Sequence, residues 1–200
     1  FGAAALERGA AGLMVADDFK LSGLPVEVPI LRVPDPLRAY GDLAAARRRV
    51  WGGPVLAIGG SAGKTTTRRL VASALARRKK TLEPERNYNN MVGVPQTLMR
   101  LEPDHQIAVL ELGMNQPGEL LRLAEIARPS VAMLTRIDRA HIGMFASMKD
   151  LVNAKLDLFR GCEPGAALVV NAGCPRTMKA LGPFRERHPI FSFRVGRPAR

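Results

Sequence analysis

Short apolar runs alternate along this chain with segments in which apolar residues recur at helical spacing. The runs that predict buried strands cover residues 55–58, 107–112, 131–134 and 167–170. The segments that predict helices cover residues 65–78, 118–127 and 148–159. Strands that alternate with helices are typical of βαβ units, in which helices cover both faces of a parallel sheet. The pattern therefore predicts an α/β fold built on a parallel sheet.

The first fifty residues form a separate part of this pattern. They predict the end of a helix at 3–9, strands at 11–15 and 29–33, and a long helix at 35–50. Gly52, Gly53 and Pro54 then break the helix. We expect residues 1–50 to be the end of a smaller α/β domain and residues 51–200 to be an incomplete second domain. Because the chain starts at Phe1, inside a helical pattern, we interpret the sequence as a fragment.

Composition and charge narrow the class of protein. A hydrophobic content of 46% over 200 residues supports a packed core and excludes a disordered chain. The net charge of +12 comes mostly from arginine, with clusters at 47–49, 77–80 and 194–200. These clusters lie at predicted helix ends and contain no aromatic residues, so they indicate a solvated basic face rather than a nucleic-acid site.

The cysteines and the hydropathy pattern predict the compartment. Cys162 and Cys174 form no CxxC pair, which is typical of a reducing cytoplasm. The sequence has neither a signal-peptide pattern nor an apolar run of membrane length. We therefore expect a cytoplasmic monomer without a membrane or nucleic-acid partner.

The residues that follow the first buried strand predict a site for phosphate groups. The chain continues there as Gly59, Gly60, Ser61, Ala62, Gly63, Lys64, Thr65 and Thr66. Small side chains leave backbone N–H groups accessible at a helix start, where an anion is favoured, and Lys64 adds a positive charge. The ordinary Walker pattern requires glycine at the position of Ile58, so the loop fits a GxxGKT variant. The alternative is a glycine-rich turn with a surface lysine.

Two further residues lie where strands of the predicted sheet end, which is where ligands of such sheets bind. Glu111 ends the stretch IAVLE of this predicted strand, and its carboxylate could hold Mg²⁺ together with the hydroxyl of Thr65. His141 follows the strand 131–134 after a short loop. The alternatives are a solvated glutamate and a structural histidine.

Lys155 lies on the apolar stripe of the predicted helix 148–159, with Met148, Leu151, Val152 and Phe159 at i, i+3, i+4 spacing. Burial would favour the neutral amine, which can react with CO₂ to give a carbamate able to bridge metals. In the alternative, the side chain snorkels to water. The spacing alone favours snorkelling.

Five further stretches follow one another along the chain and read GGSAGKTTT, NYNNMVGVPQTLMRL, ELGMNQPGEL, RAHIGMF and NAKLDLF. Across residues 55–159, these stretches and their order resemble the central ATPase domain of the Mur ligases, a P-loop-type domain. Residues 1–50 resemble the end of that family's UDP-sugar-binding domain. The motifs are most similar to the branch that joins D-alanyl-D-alanine to a UDP-N-acetylmuramoyl tripeptide in peptidoglycan synthesis. The resemblance implies an ATP-dependent amide ligase that uses Mg²⁺.

The resemblance also implies roles for individual residues. It places ATP on residues 60–66, with its phosphates on Gly63 and Lys64. It implies that Thr65 and Glu111 hold one Mg²⁺, and that His141 with Glu111 serves a second. Lys155 matches the family's carbamylated lysine, which favours the carbamate over snorkelling and completes a catalytic set of Lys64, His141 and Lys155. Residues that match positions near the peptide substrate are Asn89, Asn90 and Asn115.

The sequence departs from the family's pattern at a few positions. Ala57 and Gly59 replace a glycine and a threonine, Gly173 replaces an aspartate, and Arg136 and Arg139 precede the histidine. These departures leave open an inactive nucleotide-binding remnant. Another ligase of the superfamily is also an alternative, such as the tripeptide-forming Mur ligase, folylpolyglutamate synthase or cyanophycin synthetase.

Overall fold

A computed structural model of the protein describes residues 2–20, 22–23, 27–139, 142–194 and 196. The helices are α1 (Gly2–Glu7), α2 (Pro36–Trp51), α3 (Lys64–Ala76), α4 (Gly93–Met99), α5 (Glu119–Ala127), α6 (Met148–Arg160) and α7 (Pro175–Lys179). The strands are β1 (Leu13–Ala16), β2 (Ile30–Val33), β3 (Val55–Gly59), β4 (Thr81–Leu82), β5 (Ile107–Glu111), β6 (Val131–Leu134), β7 (Ala167–Asn171) and β8 (Ile190–Phe193). Short 3₁₀ helices cover Ile142–Met144 and Gly182–Phe184. Among the described residues, no helix combines the length and apolarity needed to cross a bilayer.

Six of the strands form one parallel sheet in the order β4-β5-β3-β6-β7-β8. Strand β3 lies inside it, and Val55, Ala57 and Ile58 are fully buried. Side chains of successive strand residues point to opposite faces, so burial of all three requires cover on both faces. The prediction of an α/β fold with a parallel sheet is confirmed.

The two faces of the sheet pack against different helices. One face contributes Ala57, Leu110 and Leu134 to a large core that also contains residues of α2, α4, α5 and α6. The other face contributes Ile58 and Val109 to a smaller core with Ala72 of α3. Among the described residues, the helix that contributes to this smaller core is α3, which begins where the predicted phosphate loop ends.

Strands β1 and β2 form a separate two-stranded parallel sheet. Helix α2 follows, and it begins at a side-chain cap in which Asp35 accepts hydrogen bonds from the amides of Leu37 and Arg38. Ala44 and Ala45 of this helix lie in the large core of the six-stranded sheet. Helix α2 thus packs with the larger unit, and the division at residue 50 stays a prediction about the domains of the whole protein.

One arginine of the predicted basic face is buried. Arg48 is 3% exposed and donates hydrogen bonds to the carbonyls of Ala127 and Arg128, at the end of α5. It also pairs with Glu163 at 3.2 Å. The last carbonyls of a helix lack partners within the helix and favour a cation. For Arg48, the prediction of a solvated face is therefore wrong, because this side chain caps α5.

Candidate active site

The candidate site lies at the carboxyl edge of the sheet, around the end of β3. From β3 the chain passes through α3 to β4 and β5 on one side, and β6 follows on the other side. Such a reversal of strand order opens a crevice beyond the carboxyl ends of the strands, where α/β proteins bind ligands. The predicted phosphate loop follows β3 at this point, Glu111 ends β5, and Thr135 follows β6.

Two glycines give the loop its shape. Gly60 and Gly63 have φ angles of +137° and +81°, which residues with a β-carbon rarely adopt. A β-carbon on Gly60 would also lie only 2.2 Å from the hydroxyl oxygen of Thr135. Gly63 precedes α3, and among the described residues no side chain caps this helix start. The first amides of α3 and the positive end of its dipole are therefore available to an anion, as the sequence predicts.

Glu111 brings together residues from three parts of the chain. It is 2% exposed, and its Oε2 accepts a hydrogen bond of 2.7 Å from the hydroxyl of Thr65, the second residue of α3. Its Oε1 accepts another of 2.7 Å from the side-chain amide of Asn89. The Thr65 hydroxyl and the Glu111 carboxylate offer adjacent hard oxygen ligands, which Mg²⁺ prefers. The donor set therefore fits the predicted cation.

Lys155 is buried on α6, as its place on the apolar stripe predicts. It is 2% exposed, and Leu151, Val152 and Phe159 of the same stripe are also buried. Burial, helped by the nearby positive charge of Lys64, lowers the pKa of Lys155 from 10.5 to about 8. A substantial neutral fraction is therefore accessible just above neutral pH, which a snorkelling ammonium would not provide.

The other predicted residues have different surroundings. Asn90 uses its side-chain oxygen to accept hydrogen bonds from the amides of Val92 and Gly93, at the start of α4. Asn115 is exposed, and its backbone amide donates to Glu119. The structure thus brings Asn89, but not these two, to Glu111. The prediction for His141 lies outside the described residues.

Thr135 and Asp138 follow β6 and form hydrogen bonds with the phosphate loop. Neither residue was among those predicted from the sequence. The hydroxyl of Thr135 lies 2.6 Å from the carbonyl oxygen of Ala62 and 3.1 Å from that of Gly59. The amide of Asp138 donates to the hydroxyl of Ser61 at 2.9 Å. Thr135 follows a buried strand directly, so the rule that located Glu111 at a strand end could have located Thr135 as well.

The packing accounts for some of the departures from the family's motifs. A β-carbon on Gly59 would lie 2.9 Å from a methyl group of Leu158 and 3.3 Å from one of Leu134. A threonine there would therefore need the core to shift. Arg136 is exposed and pairs with Asp138 at 3.2 Å, whereas Gly173 donates its amide to the side chain of Asn171.

Comparisons with known proteins identify the family of the chain. The sequence model of the protein family described as the Mur ligase middle domain matches residues 58–196. A UDP-N-acetylmuramoyl-tripeptide–D-alanyl-D-alanine ligase of Synechocystis is 36% identical over 167 residues, which cover 84% of this chain and 36% of the relative. The enzyme of the same name from Escherichia coli is 36% identical over 149 residues, covering 74% of this chain and 33% of the relative.

A solved structure gives the same result. The crystal structure of MurF from Acinetobacter baumannii superposes with a TM-score of 0.84 at 32% identity, covering 96% of this chain and 41% of that one. The chain spans about a third of the length of the curated relatives named above, 36% and 33%. The motifs, the fold and the matched family model lead to one conclusion: the chain belongs to the Mur ligase family.

Proposed function

We propose that this chain forms the central part of an ATP-dependent ligase that joins D-alanyl-D-alanine to a UDP-N-acetylmuramoyl tripeptide. The observation that carries the proposal is the contact between Thr65 and Glu111, at 2.7 Å. It joins the start of α3, which favours an anion, to a buried carboxylate, which favours a cation. Triphosphate and Mg²⁺ together satisfy both preferences. The ligases of this name from Synechocystis and Escherichia coli support the choice of substrates.

The loop residues of the chain have the first role in this reaction. The amides of Gly63, Lys64 and Thr65 face the phosphates of ATP from the start of α3, and Lys64 offsets their negative charge. Thr65 and Glu111 hold one Mg²⁺, which, when bound, neutralises charge on the phosphates. Asn89 holds the carboxylate of Glu111 in place through its 2.7 Å hydrogen bond. His141, Glu111 and carbamylated Lys155 serve a second Mg²⁺.

Lys155 is the residue whose chemistry must change for this role. Its neutral Nζ attacks the carbon of CO₂, a C–N bond forms, one C=O electron pair moves to oxygen, and a proton leaves nitrogen for water. The product is a carbamate anion. The positive charge of Lys64, which opposes the ammonium form of Lys155, favours that anion for the same electrostatic reason.

The overall reaction has two steps. The γ-phosphoryl group of ATP passes to the free carboxylate of the tripeptide, which gives an acyl phosphate and ADP. The amine of D-alanyl-D-alanine then attacks the acyl carbon, the C–O bond to phosphate breaks, and an amide and inorganic phosphate result. We propose a cytoplasmic location, with which the two free cysteines, Cys162 and Cys174, are compatible.

The proposed function is tested with full-length protein, ATP, Mg²⁺, a UDP-N-acetylmuramoyl tripeptide and D-alanyl-D-alanine. We expect an amide product by mass spectrometry and one inorganic phosphate released per product. Replacing D-alanyl-D-alanine by single amino acids is the control, and it should give no product. A product with a single amino acid alone would identify another ligase of the superfamily. Binding of ATP without any amide product would indicate a nucleotide-binding module instead.

A further inference from the structure

Thr135 lies beneath the phosphate loop and contacts both of its ends. It follows β6 and is 8% exposed. Its backbone amide donates to the carbonyl of Gly59 at 3.1 Å. Its hydroxyl lies 2.6 Å from the carbonyl oxygen of Ala62 and 3.1 Å from that of Gly59. The backbone amide of Thr135 therefore holds the carbonyl of the residue that enters the loop, and its hydroxyl holds a carbonyl near the exit of the loop.

These contacts orient amides that Thr135 does not touch. A peptide unit is planar and trans, so the carbonyl of one residue and the N–H of the next point in opposite directions. When the hydroxyl of Thr135 holds the carbonyl of Ala62, the N–H of Gly63 must point away from Thr135. The same argument applies to the carbonyl of Gly59 and the N–H of Gly60. Both amides are thereby directed away from the protein layer that contains Thr135.

Other contacts of the phosphate loop also fix its conformation against the residues that follow β6. The amide of Ser61 donates to the carbonyl of Arg136 at 2.6 Å, so it is engaged with the protein. The space beside Gly60 is filled by the hydroxyl of Thr135, which a β-carbon there would meet at 2.2 Å. The loop is thus closely packed on the Thr135 side.

We propose that Thr135 is a positioning residue of the phosphate site, which aims the amides of Gly60 and Gly63 at a bound polyphosphate. The inference rests on the proposed function, since it assumes that the loop binds the phosphates of ATP. Thr135 itself does not touch the nucleotide. Its hydroxyl fixes the loop before ligand arrives, which removes an ordering cost from binding.

The test compares variants of the full-length protein by isothermal titration with Mg-ATP and by thermal unfolding without nucleotide. Thr135→Val removes the hydroxyl with little change in volume, and Thr135→Ser retains it. The matched control is Thr97→Val, because Thr97 is also buried and its hydroxyl donates to a backbone carbonyl, that of Gly93, at 2.8 Å. Both partners of this hydrogen bond lie on α4. Thr135→Ala serves as a second variant if valine prevents folding.

We expect Thr135→Val to weaken Mg-ATP binding roughly five- to tenfold, the usual effect of one hydrogen bond. Thr135→Ser and Thr97→Val should bind within about twofold of wild type. Equal affinity of Thr135→Val and wild type would overturn the inference and leave the proposed function standing. An equal loss in Thr97→Val, or unfolding of both the valine and the alanine variants, would make Thr135 a residue of the fold and also overturn it. A wild-type protein that binds no ATP would refute the proposed function itself.

Discussion

Both ends of β5 carry acidic residues, and the structure gives these residues different surroundings. At the start of the strand, Glu102, Asp104 and His105 place possible ligand atoms within 4.8 Å of one another. At its end, Glu111 stands without another acidic residue in its immediate sequence. Ligand types alone would therefore place a metal site at the first end.

The surroundings of the two groups in the structure favour Glu111 as the metal ligand instead. The Nζ of Lys80 lies 2.7 Å from a carboxylate oxygen of both Glu102 and Asp104, whose side chains are 59% and 66% exposed. Hydrogen bonds from Lys80 keep the pKa of Glu102 and that of Asp104 below their usual values. The lysine thus already neutralises this group, whereas Glu111 is buried between a hydroxyl and an amide beside the phosphate loop. The proposed metal site thus depends on a position at the carboxyl edge of the sheet and not on the number of acidic groups.

The largest effect is expected from Glu111→Gln. This change keeps the volume and removes the charge that holds the cation, so ligase activity of the full-length protein should fall at least about 100-fold. Glu102→Gln is the matched control and should retain activity. Both activity and circular dichroism are measured. A folded Glu111→Gln enzyme with wild-type activity would contradict the proposal that Glu111 holds the cation, because Glu111 and Glu102 would then be equivalent.

A somewhat smaller effect is expected from Lys155→Ala. Loss of the carbamate should lower activity roughly 100-fold, and formate or acetate should restore part of it by taking the vacant ligand position. Lys149→Ala, an exposed lysine on the same helix, is the control. Product formation is measured with and without the short acids. If the alanine variant were nearly fully active without additive, Lys155 would not form the carbamate.

The lowered pKa of Lys155 also predicts a pH dependence of stability. The pKa of Lys155 is about 8 in the folded protein, against an ordinary value of 10.5, so between these pH values the unfolded chain binds more protons. The free energy of unfolding should therefore rise with pH in this window, by about 3 kcal/mol in total from this group. Below pH 8 the buried ammonium destabilises the fold by a constant amount.

The comparison variant for this prediction is Lys155→Met, which lacks the titrating group. It should be more stable than wild type at pH 7, and the difference should shrink as the pH rises from about 8 towards 10.5. The difference in the free energy of unfolding is measured by urea unfolding in buffers free of CO₂ and nucleotide. Lys149→Met, at an exposed position of the same helix, is the control. A constant difference at all pH values would mean that burial does not disfavour the ammonium of Lys155.

The smallest effect is expected at the other end of β5. Asp104→Asn and Glu102→Gln, alone or together, should change ligase activity by less than about twofold, because exposed ion pairs contribute little. Mg²⁺ dependence is measured in parallel. A loss of Mg²⁺ dependence in the double variant would indicate that the metal site lies at this end of the strand.

Much of the sheet could be predicted because its strands are buried on both faces. The run 131–134 coincides with β6, and the runs 55–58 and 167–170 differ from β3 and β7 by one residue. Some elements, among them β4, α4 and β8, have no clear hydrophobic pattern from which they could be predicted. Strand β4 has two residues, α4 begins with glycine and contains proline, and β8 is an edge strand on which Phe191 is exposed.

The site was predictable where one residue meets one local rule. Glu111 follows from the end of an apolar run, and Lys155 from a helical stripe. The contacts among side chains were not predictable, because they join distant parts of the chain. Asn89 and Glu111 are 22 residues apart, and Thr135 and Ala62 are 73 apart. Arg48 was misassigned for the same reason, since the carbonyls that bury it lie 79 and 80 residues away.

The proposed ATP site is tested most directly by the affinity of the full-length protein for Mg-ATP, with and without the positive charge at the phosphate loop. This affinity is measured by isothermal titration of wild type, Lys64→Ala and the exposed control Lys79→Ala. We expect binding by wild type and by Lys79→Ala, and at least about tenfold weaker binding by Lys64→Ala, since charge-assisted hydrogen bonds to phosphate are strong. Equal affinity of all three proteins would contradict the assignment of residues 60–66 as the ATP site.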